Sequence, residues 1–278
     1  MNRKLFSAML LASSIITWTA CSNDDPLSDL YNDVNGNGNV YINGNTNGSD
    51  NSAELLSFTI NIDKTTPEPT GASATYPEAS DDISQNKFET IVNIDMSNPT
   101  AKEENGVTIT VEGNDVTASH GKTEGVCYVV TGTTADGSLT IDGKTDFELN
   151  LNGADITNTR STAIDIESKQ KAFIVLTGSN KLTDGTSADD SHKGALYAKG
   201  KMLISGTGSL EVYGTYNNGI HGKSNIVIDK GVNLYVKSIA NHGIKAGDDL
   251  YINGGIINVE VSAAGAKGIN GDIDITVN

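Results

Sequence analysis

The sequence repeats one short pattern four times: Gly194-Ala-Leu-Tyr-Ala-Lys, Asn218-Gly-Ile-His-Gly-Lys, His242-Gly-Ile-Lys-Ala-Gly and Lys267-Gly-Ile-Asn-Gly-Asp. An aliphatic residue occupies the same place in each copy, at positions 196, 220, 244 and 269, so the steps are 24, 24 and 25 residues. Self-similarity at a fixed period in the twenties is typical of a solenoid rather than of a closed domain. We therefore expect stacked repeats over this stretch.

Short runs of alternating hydrophobicity follow the repeated pattern, for example Met202-Leu-Ile and Leu210-Glu-Val in the first copy. Period two predicts strands, and the Gly, Asn and Asp between the runs predict turns. Three short strands per unit leave no room for a helix, and the Asn or Cys ladder of leucine-rich repeats is missing. We predict an all-β fold, a parallel β-helix with three strands per rung of about 24 residues.

Strand-like runs also precede the regular copies, such as Val126-Cys-Tyr-Val-Val and Phe147-Glu-Leu-Asn-Leu, but their spacing is uneven. A terminal rung is expected to be atypical because it caps the core. We therefore predict a degenerate N-terminal β region or cap over residues 54–115 and the β-helix over 116–278. The sequence stops within the rung pattern, which predicts an uncovered strand edge. Either a longer parent product carries further rungs, so that this chain is truncated, or a partner covers that end.

The first 20 residues have the features of a signal peptide. Met1-Asn-Arg-Lys is positively charged, and the apolar stretch from Leu5 to Ile16 is too short to span a bilayer. Trp18-Thr-Ala-Cys resembles a lipoprotein cleavage box that would leave Cys21 lipidated, although an ordinary signal peptide cut after Ala20 is the alternative. The following Ser22-Asn-Asp-Asp resembles the signal of outer-face lipoproteins. We predict a lipoprotein exposed on the surface of the outer membrane.

Residues 21–53 are rich in Asn, Gly and Asp. Such a composition buries too little apolar surface to offset chain entropy, which predicts a flexible linker behind the lipid anchor. A calcium-hand loop is excluded here because the required Asp series with a closing Glu is missing.

Net charge narrows the range of ligands. A formal charge of −16 excludes a nucleic-acid partner, and it repels acidic polysaccharide unless a divalent cation bridges the two. Aromatic residues make up only 5% of the chain, so we expect an aliphatic core. Cys127 lies in an alternating apolar run and is predicted to be a buried thiol. Nothing in the sequence suggests an oligomer, and we expect a monomer.

The order of motifs from about Val107 onward resembles a known family. The residues that carry it are Phe147-Glu-Leu-Asn-Leu-Asn-Gly-Ala-Asp-Ile-Thr-Asn, Ala163-Ile-Asp-Ile, Leu182-Thr-Asp-Gly, the run Ala195 to Leu210, and Tyr216-Asn-Asn-Gly-Ile. They are similar to the secreted carbohydrate-binding β-helix family of a cellulolytic clostridium and of gut Bacteroidota. The resemblance implies a right-handed, pectate-lyase-like β-helix that binds plant-type polysaccharide, including acidic sugars, with calcium ions on the solenoid and without demonstrated catalysis.

The calcium ligands that the resemblance implies are only partly present. The family usually has Asp before the repeated Gly-Ile, where this chain has Asn218, His242 and Lys267. An asparagine carbonyl can bind calcium, but histidine is a poor ligand for a hard cation and lysine has the wrong charge. Further oxygen donors lie in the same turns and in an acidic insertion, and their alternative role is turn hydrogen bonding. The metal candidates are Asn217, Asn218, Asn241, Asp248, Asp249, Asp184, Asp189 and Asp190.

Sugar binding commonly uses aromatic faces, and the tyrosines concentrate in the regular rungs. If the flanking aliphatic residues point inward, Tyr235 and Tyr251 point outward, while Tyr213 and Tyr216 lie at a strand end and in a turn. Lys199 and Lys223 are one 24-residue step apart and are expected to stack, where they could bind a uronate carboxylate. The alternative is that these are ordinary strand residues. The candidate carbohydrate contacts are Tyr213, Tyr216, Tyr235, Tyr251, Lys199 and Lys223.

These observations favour a surface lipoprotein that binds polysaccharide non-catalytically, assisted by calcium. One alternative is a pectate-lyase-like enzyme, which would use lysine or arginine as the base. The regular turns carry Asn, His and Lys instead of the carboxylate cluster that a hydrolase needs. The other alternative is a structural adhesin or scaffold that binds protein, because fold does not determine function.

Overall fold

A computed structural model describes residues 76–186 and 193–278, together with the backbone of the strands Ile42–Asn43 and Leu56–Asn61. It is an all-β parallel solenoid of about six turns, as the period predicted. The helical segments in this part of the chain are two single 3₁₀ turns, Ala79–Asp81 and Ile83–Gln85. Over the same residues, no helix has the length and apolar character needed to cross a membrane. Cys21 and the predicted signal peptide lie outside the described residues.

The strands are β1 (Ile42–Asn43), β2 (Leu56–Asn61), β3 (Thr90–Asp95), β4 (Lys102–Glu104), β5 (Val107–Glu112), β6 (Asp115–Ser119), β7 (Val126–Thr134), β8 (Leu139–Asp142), β9 (Phe147–Thr157), β10 (Ile164–Ile166), β11 (Ala172–Thr177), β12 (Ser179–Thr183), β13 (Gly194–Ala198), β14 (Met202–Gly206), β15 (Ser209–Gly214), β16 (Asn218–Gly222), β17 (Ile226–Ile228), β18 (Asn233–Ser238), β19 (Ile244–Ala246), β20 (Leu250–Ile252), β21 (Ile256–Val261), β22 (Ile269–Gly271) and β23 (Ile275–Val277).

Successive rungs stack their strands into three parallel faces. Sheet 1 contains β6, β8, β10, β13, β16, β19 and β22; sheet 2 contains β3, β11, β14, β17, β20 and β23; sheet 3 contains β12, β15, β18 and β21. The long strands β7 and β9 bend and contribute to both sheet 2 and sheet 3. Leu196, Ile220 and Ile244 are register partners, so the repeated aliphatic residue forms one column of the core.

The core is aliphatic along the regular rungs, as composition predicted, but not at its N-terminal end. There the fully buried side chains include Tyr128 and Phe147, beside the buried imidazole of His120. The Tyr128 and Phe147 rings pack edge to face at 6.0 Å. His120 satisfies its ring nitrogens with the Tyr128 hydroxyl at 3.0 Å and the Thr145 carbonyl at 3.1 Å. The hydrogen bond to His120 satisfies the buried Tyr128 hydroxyl, so this aromatic residue can lie in the core of the first rungs.

The N-terminal end of sheet 1 is closed by antiparallel pairing. Strands β4, β5 and β6 form a meander, and β6 then pairs in parallel with β8. At the other end of the solenoid, β2 pairs antiparallel with β21 over six residues on each strand. Strand β2 therefore covers the edge of sheet 3, whereas the strand where the sequence stops, whose edge was predicted to be uncovered, is β23 at the end of sheet 2. Hydrophobic patterning could not reveal this, because pairing partners far apart in sequence leave no periodic signal.

Residues 76–88, here called the strap, lie across the outer face of sheet 2. Its apolar side chains, from Tyr76 to Phe88, pack against a second apolar cluster formed by Phe173, Leu203 and Val227. The Phe88 and Phe173 rings are 5.2 Å apart. The strap thus buries the outward-pointing residues of three rungs. A strand with apolar residues on both faces is expected only where both faces are covered.

A buried ion-pair cluster fixes the middle of the strap. The carboxylate of Asp81 is fully buried and lies 2.8 Å from the ammonium groups of both Lys171 and Lys201. These two lysines immediately precede β11 and β14 and are themselves only 17% and 13% exposed. Tyr76 donates a hydrogen bond of 2.7 Å to Asp229 at the end of β17. The strap is therefore tied to three consecutive rungs by polar contacts as well as by packing.

Cys127 is a buried free thiol, as the sequence predicted. Burial, with a smaller effect of the neighbouring Glu148, raises the pKa of the thiol to about 12. Since the thiolate is the reactive form, we expect Cys127 of a Cys21→Ser variant to resist a thiol-disulfide reagent at pH 8 and to react fully after denaturation. Rapid stoichiometric labelling of the native protein would contradict this placement.

Candidate functional site

Tyr213 and Tyr235 come together on the outer face of sheet 3. They lie on the adjacent strands β15 and β18, where the aliphatic neighbours Leu234 and Val236 point into the core. Their ring centroids are 5.9 Å apart and the planes are inclined by 60°. Both rings are half-buried, so each presents part of its surface to solvent.

Polar neighbours hold both rings in place. The Tyr213 hydroxyl donates to Glu211 at 3.0 Å, and the Lys181 ammonium lies 5.4 Å from the Tyr213 ring centre. The Tyr235 hydroxyl is hydrogen-bonded to Glu260. Burial, followed by this hydrogen bond, raises the pKa of Tyr235 to about 12, and burial with Glu211 also raises the pKa of Tyr213. Both hydroxyls therefore remain protonated donors at neutral pH.

The side chains around the tyrosine pair form a flat polar surface that we call the sheet 3 face. Its charges come in compensating pairs, such as Lys237 with Glu260 at 3.3 Å. The strap crosses sheet 2 instead and leaves sheet 3 uncovered within the described part of the chain. The sheet 3 face consists of Lys181, Thr183, Glu211, Tyr213, Tyr235, Lys237, Asn258 and Glu260.

The other two predicted tyrosine contacts lie elsewhere. Tyr251 points outward as predicted, but from sheet 2, where it packs against the same apolar cluster as the strap. Tyr216 lies in the turn between β15 and β16, where its backbone is hydrogen-bonded to Asp184. The four tyrosines therefore do not form one surface. Period two tells inside from outside, but it does not tell which of three sheets a strand belongs to.

Lys199 and Lys223 stack on successive rungs of sheet 1, as their spacing predicted. They follow directly after the register partners Ala198 and Gly222. The Lys199 ammonium is ion-paired with Glu167. Lys223 is exposed and has no ion pair among the described residues. The two lysines are on a different face from the tyrosine pair, and Tyr251 is on the third face, so the predicted contacts do not form one surface.

Sheet 1 also carries a histidine that sequence reasoning did not select. His221 is the register partner of Tyr197 on one side and of Lys245 on the other. Its ring packs edge to face on Tyr197 at 5.5 Å. Lys245 is itself paired with Asp272 at 2.8 Å. The outward position of each repeated pattern could have identified this column, because residues 197, 221 and 245 follow the repeated aliphatic residue.

His221 is expected to make the protein acid-sensitive. Burial, and next the charge of Lys245, lowers the pKa of His221 from 6.5 to about 4. Between pH 6.5 and 4, His221 is therefore protonated in the unfolded chain and neutral in the folded chain. The free energy of unfolding falls as the pH is lowered through this window. We expect His221→Gln to flatten the slope of unfolding free energy against pH in this window, while Lys223→Gln leaves it unchanged. Equal slopes for wild type and His221→Gln would contradict this.

The metal candidates in the turn between sheets 3 and 1 are engaged in internal hydrogen bonds. Asn241 donates its amide to the Asn217 side-chain oxygen at 2.9 Å, one rung away. Asn218 donates its amide to the Lys193 carbonyl at 2.7 Å, while its buried side-chain oxygen has no hydrogen-bond partner among the described residues. Asp184 accepts from the backbone and hydroxyl of Thr215, and burial raises its pKa. These contacts match the alternative of turn hydrogen bonding.

The remaining described candidates lie at the opposite corner of the solenoid. Asp248 accepts a hydrogen bond from Ser224 at 3.1 Å, and Asp249 accepts one from Tyr251 at 3.5 Å, both in the turn between sheets 1 and 2. Asp189 and Asp190 lie outside the described residues. Within residues 76–186 and 193–278, no three His, Cys, Asp or Glu side chains are grouped to hold a metal. Since asparagine oxygens can also bind calcium, calcium stays a prediction.

The chain is similar to a family of known proteins. Residues 103–276 match the family model described as carbohydrate-binding domain-containing protein. A protein of that description from Acetivibrio thermocellus is 36% identical over 121 residues, which cover 40% of this chain and 42% of the relative. The chain thus spans about two-fifths of the relative's length.

A solved structure gives a weaker likeness. It is a gadolinium derivative of a polysaccharide lyase-like protein from C. thermocellum, with a TM-score of 0.47 and 20% identity over 68% of this chain and 96% of that one. The family match covers more than half of the chain and confirms the resemblance noted in the sequence. The protein belongs to the family of carbohydrate-binding domain-containing proteins.

Proposed function

We propose that this protein binds polysaccharide without cleaving it, through the sheet 3 face. The observation that carries the proposal is the pair Tyr213 and Tyr235, held 5.9 Å apart on an uncovered parallel sheet. A tyrosine offers an apolar ring to the flat side of a sugar and a hydroxyl to its edge. Family membership and the two polar-anchored rings support the same class of ligand.

The charge distribution suggests that neutral and acidic glycans bind to different faces of the solenoid. The sheet 3 face carries two lysines and two glutamates and is therefore neutral. Lys223, exposed on sheet 1, is the predicted contact that is free to meet a uronate carboxylate on a chain of net charge −16. Neutral plant-type glycans would thus use sheet 3, and acidic glycans would need sheet 1 or a bridging cation.

Catalysis is the second candidate, as a lyase of the pectate-lyase-like type. It would need an unprotonated lysine near a uronate, and sheet 1 does bring Lys199 and Lys223 together. However, the ion pair with Glu167 raises the pKa of Lys199 further. This ammonium is therefore a poor base at neutral pH.

We also propose that the chain is a monomeric lipoprotein on the outer-membrane surface, anchored through Cys21. The support is the sequence alone. Metabolic labelling with a radioactive fatty acid, followed by protease treatment of intact cells, tests it. Label that survives in a Cys21→Ser variant, or a protein that resists external protease, would contradict the anchor or the location.

The test of function is retention of the whole mature chain on a panel of neutral and acidic plant polysaccharides. Each polymer is tested with calcium and with chelator, while ultraviolet absorbance reports unsaturated uronate products. Retention without new absorbance supports the proposal, and its loss with chelator would establish the calcium requirement. New absorbance would establish a lyase. No retention on any polymer would contradict carbohydrate binding and favour the adhesin alternative.

A further inference from the structure

Outward side chains on sheet 3 are arranged in two columns that run across the strands. In-register pairing aligns residues on successive rungs, and alternate residues of one strand belong to different columns. One column contains Lys181, Glu211, Tyr235 and Asn258, and the other contains Thr183, Tyr213, Lys237 and Glu260.

A series of contacts alternates between the two columns and extends over four successive rungs. Lys181 contacts the Tyr213 ring at 5.4 Å, the Tyr213 ring contacts Tyr235 at 5.9 Å, and Tyr235 is hydrogen-bonded to Glu260. Each step moves to the next strand. The aromatic path therefore follows the solenoid axis, one residue per rung.

Along its own two strands, the tyrosine pair has no further aromatic residue. On β15 the outward residues before Tyr213 are Ser209 and Glu211, of which Glu211 accepts the hydrogen bond from the Tyr213 hydroxyl, and on β18 Asn233 precedes Tyr235. Neighbouring strands are about 4.8 Å apart, which is close to the rise of one sugar residue in an extended β-1,4-linked chain. An extended glycan that lies across the strands can stay in step with the rungs, whereas one that lies along a strand would leave the aromatic rings after one contact.

We propose that a bound glycan lies along the solenoid axis, perpendicular to the strands, with successive sugar residues on successive rungs from Lys181 to Glu260. This inference rests on the proposed function. The site accepts an uncharged chain, because the charges of Glu211 and Glu260 balance those of Lys181 and Lys237.

The experiment is calorimetric titration of the whole chain with cello-oligosaccharides from the dimer to the hexamer. We expect affinity to rise with length up to about the tetramer, since four rungs carry the contacts. A matched pair of variants separates the two directions. Asn258 lies one rung beyond Tyr235 along the axis, and Asn233 lies on the strand of Tyr235.

Asn258→Ala is expected to weaken tetramer binding about fivefold, because one hydrogen bond is lost. Binding of the dimer should not change. Asn233→Ala should change neither. Affinity that levels off at the dimer, or weakening by Asn233→Ala alone, would overturn the axial orientation. Retention on acidic polymers with no affinity for these oligosaccharides would overturn this inference and leave the proposed function standing. No binding to any polysaccharide would overturn both.

Discussion

Replacing Asp81 with asparagine is expected to lower the free energy of unfolding by about 3 kcal/mol, because it leaves two buried ammonium groups without their shared carboxylate. Asp81 is fully buried and lies 2.8 Å from both Lys171 and Lys201. Asparagine preserves the shape of the side chain, so packing of the strap against Phe173 changes little and the effect is that of charge. Chemical denaturation followed by circular dichroism measures the loss.

Glu78→Gln is the matched control. Glu78 reaches the same two lysines, at 2.8 and 3.6 Å, but its side chain is 60% exposed. Exposed ion pairs contribute little, so this variant should unfold within a few tenths of a kcal/mol of the wild type. Similar losses for Glu78→Gln and Asp81→Asn, or no loss in either, would show that burial of the cluster does not stabilise the strap.

Alanine at both Tyr213 and Tyr235 is expected to weaken binding of the best-retained neutral polysaccharide about 100-fold, since aromatic residues commonly dominate binding surfaces. Both rings lie on the uncovered sheet 3 face, so their removal opens no cavity in the core. We expect the thermal unfolding midpoint to change little. Depletion binding to the insoluble polymer measures affinity, and calorimetry measures the midpoint.

Tyr251→Ala is the matched control for this pair. Tyr251 is also an outward tyrosine in the regular rungs, but it packs against the apolar cluster beneath the strap. Its removal should lower stability and leave polysaccharide binding intact. If Tyr251→Ala abolishes binding while the Tyr213 and Tyr235 double variant binds normally, the binding surface lies on sheet 2 and the proposed site is wrong.

Much of the fold could be predicted because each rung of a parallel solenoid repeats the same arrangement of strands and turns. The copies at Leu196, Ile220 and Ile244 differ by one constant step, and in-register stacking follows from it. The same 24-residue step predicted that Lys223 lies beside Lys199. Side-chain alternation predicted that Tyr235 points outward. The strap escaped prediction because its residues, such as Asp81 and Phe88, follow no period and their partners lie 85 to 120 positions away.

The sequence by itself determined the rung period, the in-or-out direction of each strand residue, and the family. Tertiary structure alone decided which outward residues share a surface. Tyr213 and Tyr235 meet on sheet 3, Tyr251 lies under the strap on sheet 2, and Lys223 is on sheet 1. The physical reason is that side-chain alternation is a property of each strand, whereas the assignment of a strand to one of three faces depends on how the turns bend the rung.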